Sequence, residues 1–470
     1  MSSDSPAARH AADRPSVQQL QTHLRRQLGP EVVVTDPAVM DGYRTDWTRD
    51  ASAGQPLAVL RPRTAAEVQA GVRWAAARGI PIVPRGAGSG LSGGSLAVDG
   101  AVTLSLDRMT AIEIDVATRT AIVEPGALNA QVKAAAAEHG LWYPPDPSSF
   151  EICSIGGNVA TNAGGLCCVK YGVTTDYVLG LDVVLADGTL VRLGGQRVKD
   201  VAGLSLVKLF VGSEGTLGIV TRAILRLVPT PPPPATLVAS FPTVQGAADA
   251  VVAMCARVRP AMVELMDRAS INAVEDYTRM GLDRSAGALL LVQSDAPGEA
   301  GVAEVAVIEA ACVANGATEV FATYDPEEGV GFVAARRAAF PAVERLGSLL
   351  LEDVGVPVPL LPTLLTGIED IAVRNGVGIP TVAHAGDGNT HPIVVFDAAD
   401  EAMARAARTA FDEVLALAIS LGGTITGEHG IGRLKRAALP DQLGPDVMAL
   451  TRRIKDALDP AGILNPGAGF

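Results

Sequence analysis

A chain of 470 residues is long enough for two or three domains, at roughly 100–200 residues each, with ample core. A composition 48% hydrophobic and 19% charged is that of a folded globular protein and excludes a disordered one. The net charge of −13 argues against broad nucleic-acid or anionic-membrane binding, so an anionic substrate would need its own local cations.

Residues 1–15 are polar and lack the apolar stretch of a secretion signal. A loose tail and a first helix are expected up to residue 40. Residues 57–84 read as strand, helix and strand, with Thr64 and Glu67 as a capping box and Gly79 ending the helix. The second strand runs into Pro84-Arg-Gly-Ala-Gly-Ser-Gly-Leu-Ser-Gly-Gly94. Its glycines can turn successive N–H groups toward one point, which suits a diphosphate. No Gly-Lys-Ser/Thr follows, and Ala101–Ser105 reads as a strand where a dinucleotide fingerprint would open a helix, so neither a Walker A loop nor a Rossmann turn fits.

A hairpin over 111–124 and a helix over 127–139 follow, then the proline-stiffened Trp142–Phe150. Cys153–Gly165 is made of small, hydroxyl and amide residues, as close backbone approach to a ligand requires. Five cysteines, with Cys167 and Cys168 adjacent, form no disulfide framework and suit a reducing cytosol. Val178–Leu193 is a hairpin, and the glycine-punctuated Leu209–Val220 leads into another strand. Pro229–Pro234 is too proline-rich for sheet or helix and marks the domain boundary. Beyond it, strands near 236–241, 261–266, 287–293 and 317–323 alternate with helices near 244–258, 269–280 and 299–314, the pattern of a sheet backed by helices. A further helix near 326–345 carries Arg336 and Arg337. No apolar run reaches the ~18 residues of a spanning helix.

His384-Ala-Gly-Asp-Gly-Asn-Thr-His391 holds the strongest turn signal of the chain. A two-residue turn at Asp387-Gly388 would set His384 opposite His391, with Cβ atoms roughly 5 Å apart, close enough for both to bind one metal ion. Thr426-Gly-Glu-His-Gly-Ile-Gly-Arg433 offers a carboxylate and a third histidine, and two His with one carboxylate leave coordination positions open for catalysis. In an extended strand Glu428 and His429 would point to opposite faces, so both serve one site only if the backbone bends at Gly427, Gly430 and Gly432. Taken alone, these three residues would also suit a metallohydrolase, which would leave the glycine-rich stretches 84–94 and 144–165 without a role. A helix over 398–421 closes the second domain, and one near 445–458 precedes Leu464-Asn-Pro-Gly467.

The stretches 84–94, 144–165, 209–220 and 463–467 together resemble the vanillyl-alcohol-oxidase-type FAD flavoproteins. With His384–His391 and Gly427–Gly432 added, the chain from about residue 40 onward is similar to the FAD-linked D-2-hydroxyacid dehydrogenases, in particular to the glycolate oxidase catalytic subunits and D-lactate dehydrogenases. The resemblance implies an α+β fold: a two-lobed FAD-binding domain of the PCMH type over 41–230, a substrate or cap domain over 235–421, and a C-terminal segment, 422–470, returning to the flavin. It implies cofactor contacts from Arg85, Gly86, Ala87, Gly88, Ser89, Gly90, Ser148, Ser149, Ser154, Gly157, Thr161, Asn162, Gly164, Glu214, Gly218, Ile219 and Asn465. FAD is expected to be non-covalent, since no histidine stands in the glycine loop. His429 is implied as the base and Arg336 as the carboxylate's partner. A divalent metal, Zn, Mn or Fe, is expected on His384, His391 and Glu428. Arg337 is expected to be a solvated neighbour, and Arg433 and Lys435 surface or flavin-side charges.

The relatives acting on D-2-hydroxyglutarate have an asparagine where this chain has Ile393 and a lysine near the position of Leu351, so a small monocarboxylate, D-lactate or glycolate, is the expected substrate. D-2-hydroxyglutarate, or a non-catalytic FAD-binding subunit of an electron-transfer complex, is the alternative. The electron acceptor is left open between oxygen, a quinone, a cytochrome, an iron–sulfur partner and an electron-transfer flavoprotein. The oligomeric state is left open between monomer and homodimer, and a cytoplasmic location, at the membrane only through a partner subunit, completes the expectations.

Overall fold

The computed structural model describes residues 15–470, leaving all but the last residue of the expected polar tail outside the described residues. The chain changes domain at the proline run: Val228–Pro229 still pairs with Leu141–Trp142, and Ala235 already begins the next sheet.

Ala58–Leu60, Val102–Ser105 and Ile82–Arg85 form a parallel sheet, with Val33–Val34 antiparallel on its edge. Parallel strands need a crossover, and the helix Ala65–Ala76 supplies one. Thr64 Oγ1 caps it by accepting the Glu67 N–H at 3.2 Å, but Glu67 reaches past Thr64 to the Arg63 N–H at 2.7 Å, so the capping box is only half made. The helix Val17–Leu28 buries Leu24 in this lobe, whose core also takes Val32 and Val33. The first lobe therefore begins well before residue 41. The second lobe is an antiparallel sheet in the order Ile112–Asp115, Thr120–Val123, Ile219–Arg226, Val178–Val184, Leu190–Gly194, with the helices Asn129–Ala137 and Ile155–Thr161 contributing to its core.

The cap is an antiparallel sheet of eight strands. Along it run Glu319–Thr323, Ala235–Phe241, Ala288–Ser294, Met262–Asp267, Thr381–His384, Asn389–Phe396 and Ser348–Leu351, with Val354–Gly355 also on Asn389–Phe396. The helices Val244–Cys255, Glu299–Ala314, Leu361–Asn375 and Glu401–Ser420 bury one face. Successive residues of a strand alternate faces, so with Leu265 and Ala383 turned to those helices, Glu264, Val382, His384, His391 and Ile393 share the other face, toward the FAD-type domain. The expected helix over 326–345 is two, Pro326–Arg337 and Ala339–Glu344. The helix Leu439–Leu458 is kinked at Gly444, and the chain then rejoins the first lobe, where Ile82 N–H donates to Ile463 at 2.7 Å and Asn465 N–H to Ile82 at 2.8 Å. This is the α+β architecture expected. Among the described residues no helix is long and apolar enough to cross a membrane.

Candidate active site between the domains

A long cavity runs between the two lobes and ends against the open face of the cap sheet. Backbone forms much of its wall. A Cβ on Gly86 would fall 2.4 Å from Ser154 Oγ, and Gly88 holds φ +75°, so the loop passes where a side chain has no room. Ser154 Oγ joins loop to helix by accepting from Ala87 N–H at 3.1 Å and Gly157 N–H at 3.3 Å. A channel of this form, edged by a glycine loop and by hydroxyl side chains, fits a flavin dinucleotide. All the expected cofactor residues line it except three. Asn162 ends the helix Ile155–Thr161 in the left-handed conformation and accepts from Thr175 N–H. Asn465 stands behind the wall, donating to the Gly94 and Glu214 carbonyls at 2.9 and 2.7 Å. Gly164 faces the histidines, and a Cβ there would lie 2.7 Å from Glu428 Oε2.

At the cap end the three histidines converge, by a different register from the one expected. His384 pairs with Asn389 and Val382 with His391, a shift of two residues, and Ala385–Gly388 form the connection. Neighbouring strands claim the loop: Gly386 N–H donates to Val263, and Gly388 accepts from Val356 N–H at 3.1 Å. Because the shift equals the period of a strand, both histidines keep the same face and meet diagonally, with ring centroids 5.0 Å apart.

The bend expected at Glu428 and His429 is real and is built around Asp353. One oxygen of this buried carboxylate accepts from the N–H groups of Gly427, Glu428 and His429 at 2.8–2.9 Å and from the Thr426 hydroxyl at 2.7 Å. Gly430 and Gly432 then take φ +86° and +52°. Glu214, itself at φ +51°, fixes the next turn by accepting from Ile431 and Gly432 N–H at 2.8 and 2.7 Å. Burial raises Glu214 above its ordinary value against those two donors.

Glu428 Oε1 stands 3.2 Å from both His384 Nε2 and His391 Nε2, and 3.8 Å from His429 Nε2. His391 and His429 stack, with centroids 4.9 Å apart. His384 Nδ1 lies 2.7 Å from Glu264 Oε1, so a proton there leaves Nε2 as the lone-pair nitrogen toward Glu428. His391 Nδ1 faces Asp353 Oδ1 at 3.8 Å. His384 thus has a hydrogen-bonded carboxylate behind it, the usual support of a metal-bound histidine, whereas His391 Nδ1 and Asp353 Oδ1 are too far apart for a hydrogen bond. Burial opposes a charge on His384, yet Glu264 and Glu428 outweigh it and raise the ring well above its ordinary range. Burial likewise opposes ionisation of Glu428, and His384 and His391 hold it well below the carboxylate range. Asp353 is also held low, His429, Lys435 and His391 overcoming the burial that would raise it. The spot between these groups favours positive charge, and one ligand atom from each of His384, His391 and Glu428 lies within 4.8 Å of the others, so the donor set fits a divalent ion. Burial takes His429 the other way, down to about 4 despite Asp353.

Arg336 lines the same end of the cavity, 4% exposed, with Nη2 2.8 Å from Glu264 Oε2 as an ion pair outside hydrogen-bond geometry, and neither Nη2 nor Nε has a hydrogen-bond partner among the described residues. Glu264 therefore joins Arg336 to His384. Arg337 is not simply solvated: it pairs with Asp146 at 3.3 Å, stacks on Phe150 and lines the cavity. Lys435 is no surface charge either. It is 2% exposed, 2.8 Å from Glu352, and donates to the Ile425 carbonyl at 2.7 Å, while Glu352 is raised by burial to about 7. Arg433 binds the Pro466 carbonyl at 3.2 Å. Glu264 and Asp353 escaped the sequence reading, although Glu264 is an acid within an apolar strand and Asp353 stands between two apolar strand segments, places where a charge is kept only with a partner.

Residues 56–194 match the family described as FAD binding domain, and residues 230–468 the family described as FAD linked oxidases, C-terminal domain. The glycolate oxidase subunit GlcD of Bacillus subtilis is 43% identical over 418 residues, covering 88% of this chain and 89% of that protein. A D-lactate dehydrogenase of Archaeoglobus fulgidus is 35% identical over 435 residues, covering 91% and 95%. Among solved structures, substrate-bound p-cresol methylhydroxylase matches with a TM-score of 0.79 at 18% identity, covering 96% of each chain, a likeness of fold. With both of its domains matched and relatives aligned over most of its length, the chain belongs to the FAD-linked oxidases, as an FAD-dependent oxidoreductase built from a PCMH-type FAD-binding domain and an FAD-linked-oxidase C-terminal domain.

Proposed function

We propose that this enzyme oxidises a small D-2-hydroxy monocarboxylate, D-lactate or glycolate, to the 2-oxo acid. The observation that carries this reading is the convergence of His391, Glu428, His429 and Arg336 at the cap end of the flavin channel, where Leu351, Val382, Phe340 and Ile393 add apolar wall and Arg337, paired with Asp146, is a further charge. The names of the glycolate oxidase and D-lactate dehydrogenase relatives point to the same substrate class.

FAD, held non-covalently, would supply the hydride acceptor. A divalent ion on His384, His391 and Glu428 would acidify the substrate hydroxyl. His429 accepts the hydroxyl proton at Nε2, as a neutral imidazole beside the ligand set can. Arg336 binds the substrate carboxylate, with Glu264 behind it as its counter-charge. Leu351 and Ile393 give a second carboxylate no partner, which disfavours dicarboxylates. Arg337 on the same wall supports a second reading, D-2-hydroxyglutarate, in which it would leave Asp146 for the distal carboxylate. Electrons would pass on to a partner protein or another acceptor.

Anaerobic mixing of the FAD-loaded protein with D-lactate, L-lactate, glycolate and D-2-hydroxyglutarate tests this directly. Bleaching of the flavin by D-lactate or glycolate is expected. Bleaching by L-lactate in preference to D-lactate overturns the assignment, bleaching by D-2-hydroxyglutarate alone selects the second reading, and no bleaching by any of them favours a non-catalytic subunit.

A further inference from the structure

We infer that divalent cations reach the His384, His391 and Glu428 set by a route of their own, through a second cavity on the side away from the flavin, with Asp387 and Asn389 as the groups that conduct them. The inference rests on the metal reading above.

This second cavity, of about 460 Å³, is walled by Gly164, Cys168, His384, Asp387, Asn389 and Glu428. Exposed Pro357, Gly422 and Gly427 stand at its rim. An ion with six waters, at roughly 30 Å³ each, has room there. The ligand set partitions the two spaces: His391 and His429 face the flavin channel, His384 faces the second cavity, and Glu428 lines both. With a flavin and a substrate in the channel, an ion could enter from that side only if they left. From the other side it meets the ligands directly.

Charge separates the routes further. Arg85, Arg336 and Arg337 stand among the carboxylates of Asp46, Glu151, Glu214 and Glu428 in the flavin channel, whereas the second cavity is lined by the carboxylates of Asp387 and Glu428 with no arginine or lysine among the described residues to repel a cation. Asn389 supplies an independent sign. It is only 9% exposed, its Oδ1 has no partner among the described residues, and it lies directly across the hairpin from His384. A buried amide oxygen without a protein partner is left for a water or for a cation passing through the cavity, and its hard oxygen suits a divalent cation. Gly427 leaves space for this amide: a Cβ there would fall 2.5 Å from Asn389 Oδ1. Asp387, exposed at the mouth, is the outer group, and Asn389 the inner one before His384 and Glu428.

The test is the rate of metal uptake by FAD-loaded protein stripped with a chelator, followed by loss of the free Mn²⁺ electron-spin-resonance signal. Wild type should load one ion with flavin still bound. Asp387→Asn and Asn389→Leu should each load the same final amount on the order of tenfold more slowly. Flavin absorbance and circular dichroism identify any variant that has misfolded, and the other variant then decides. Unchanged rates in the folded variants, or uptake that begins only when FAD is released, overturns the route. A lower final amount in Asn389→Leu makes Asn389 a ligand and also overturns it. Wild-type protein that takes up no Mn²⁺ removes the metal reading itself.

Discussion

Asp353 shows how much one buried carboxylate can organise. The bend that puts Glu428 and His429 in one site leaves three consecutive N–H groups unpaired by any strand, and a single Asp353 oxygen gathers them. Its other oxygen faces His391. Asparagine keeps only one acceptor oxygen and places an amide N–H₂ beside the imidazole or the turn. Asp353→Asn should therefore lower metal affinity or turnover about 10–100-fold, the usual effect of losing such support. The flavin spectrum should remain intact, and wild-type turnover in this variant would show that the bend needs no anion. The roles proposed for His429 and Arg336 are legible only through likeness to relatives. The supports Asp353 and Glu264 are not, because a charged residue inside an apolar run states only that a partner exists and not which one. Lys435 was misplaced because, with Arg433 and Arg436 beside it, nothing local marks it as buried, and its partner Glu352 lies between two strands more than eighty residues earlier.

The hairpin at the centre of the site shows a similar limit for elements. Strand alternation correctly put both histidines on one face. Turn chemistry alone, however, gave a two-residue connection, and the register is decided by Val263 and Val356, which capture the loop's backbone groups. Gly388 carries that capture. It holds φ +82°, and a Cβ on it would sit 2.1 Å from the Val356 carbonyl oxygen. Gly388→Ala should destabilise the cap by about 1–3 kcal/mol, from backbone strain before the clash is relieved. It should also weaken Mn²⁺ binding by moving His384 against His391. Denaturant unfolding and metal titration check the two effects, and an unperturbed metal affinity would show that the loop does not set the spacing. The alternating helices and strands beyond residue 235 were readable because long periodic segments announce themselves, whereas the split at Ala338 within the expected 326–345 helix was not.

For the molecule as a whole, the proline run separates two domains that side chains then lock together. Asp295 of the cap binds Lys170 and Tyr171 of the FAD-binding domain, and Arg259 donates to the Lys170 carbonyl. Asp295 is 7% exposed, so Asp295→Asn leaves Lys170 without its counter-charge at a nearly closed joint. A loss of about 1–3 kcal/mol is expected. It should appear in thermal unfolding as a cap transition parting from that of the flavin-bound domain, and a single unshifted transition would assign the lock elsewhere. The architecture was legible through the spacing of the glycine motifs, but the joint was not, because its partners are ordinary surface residue types far apart in the chain.

The bend over 426–433 is held by Asp353 in one domain and Glu214 in the other, and Asn465 braces Glu214 by donating to its carbonyl. The ribosome delivers this stretch after both domains have emerged. A nascent or clipped polypeptide could already shelter the yellow cofactor, yet would have neither Glu428 nor His429 to set a substrate against it. On the proposed mechanism, a polypeptide cut before residue 426 therefore binds flavin without oxidising a hydroxy acid.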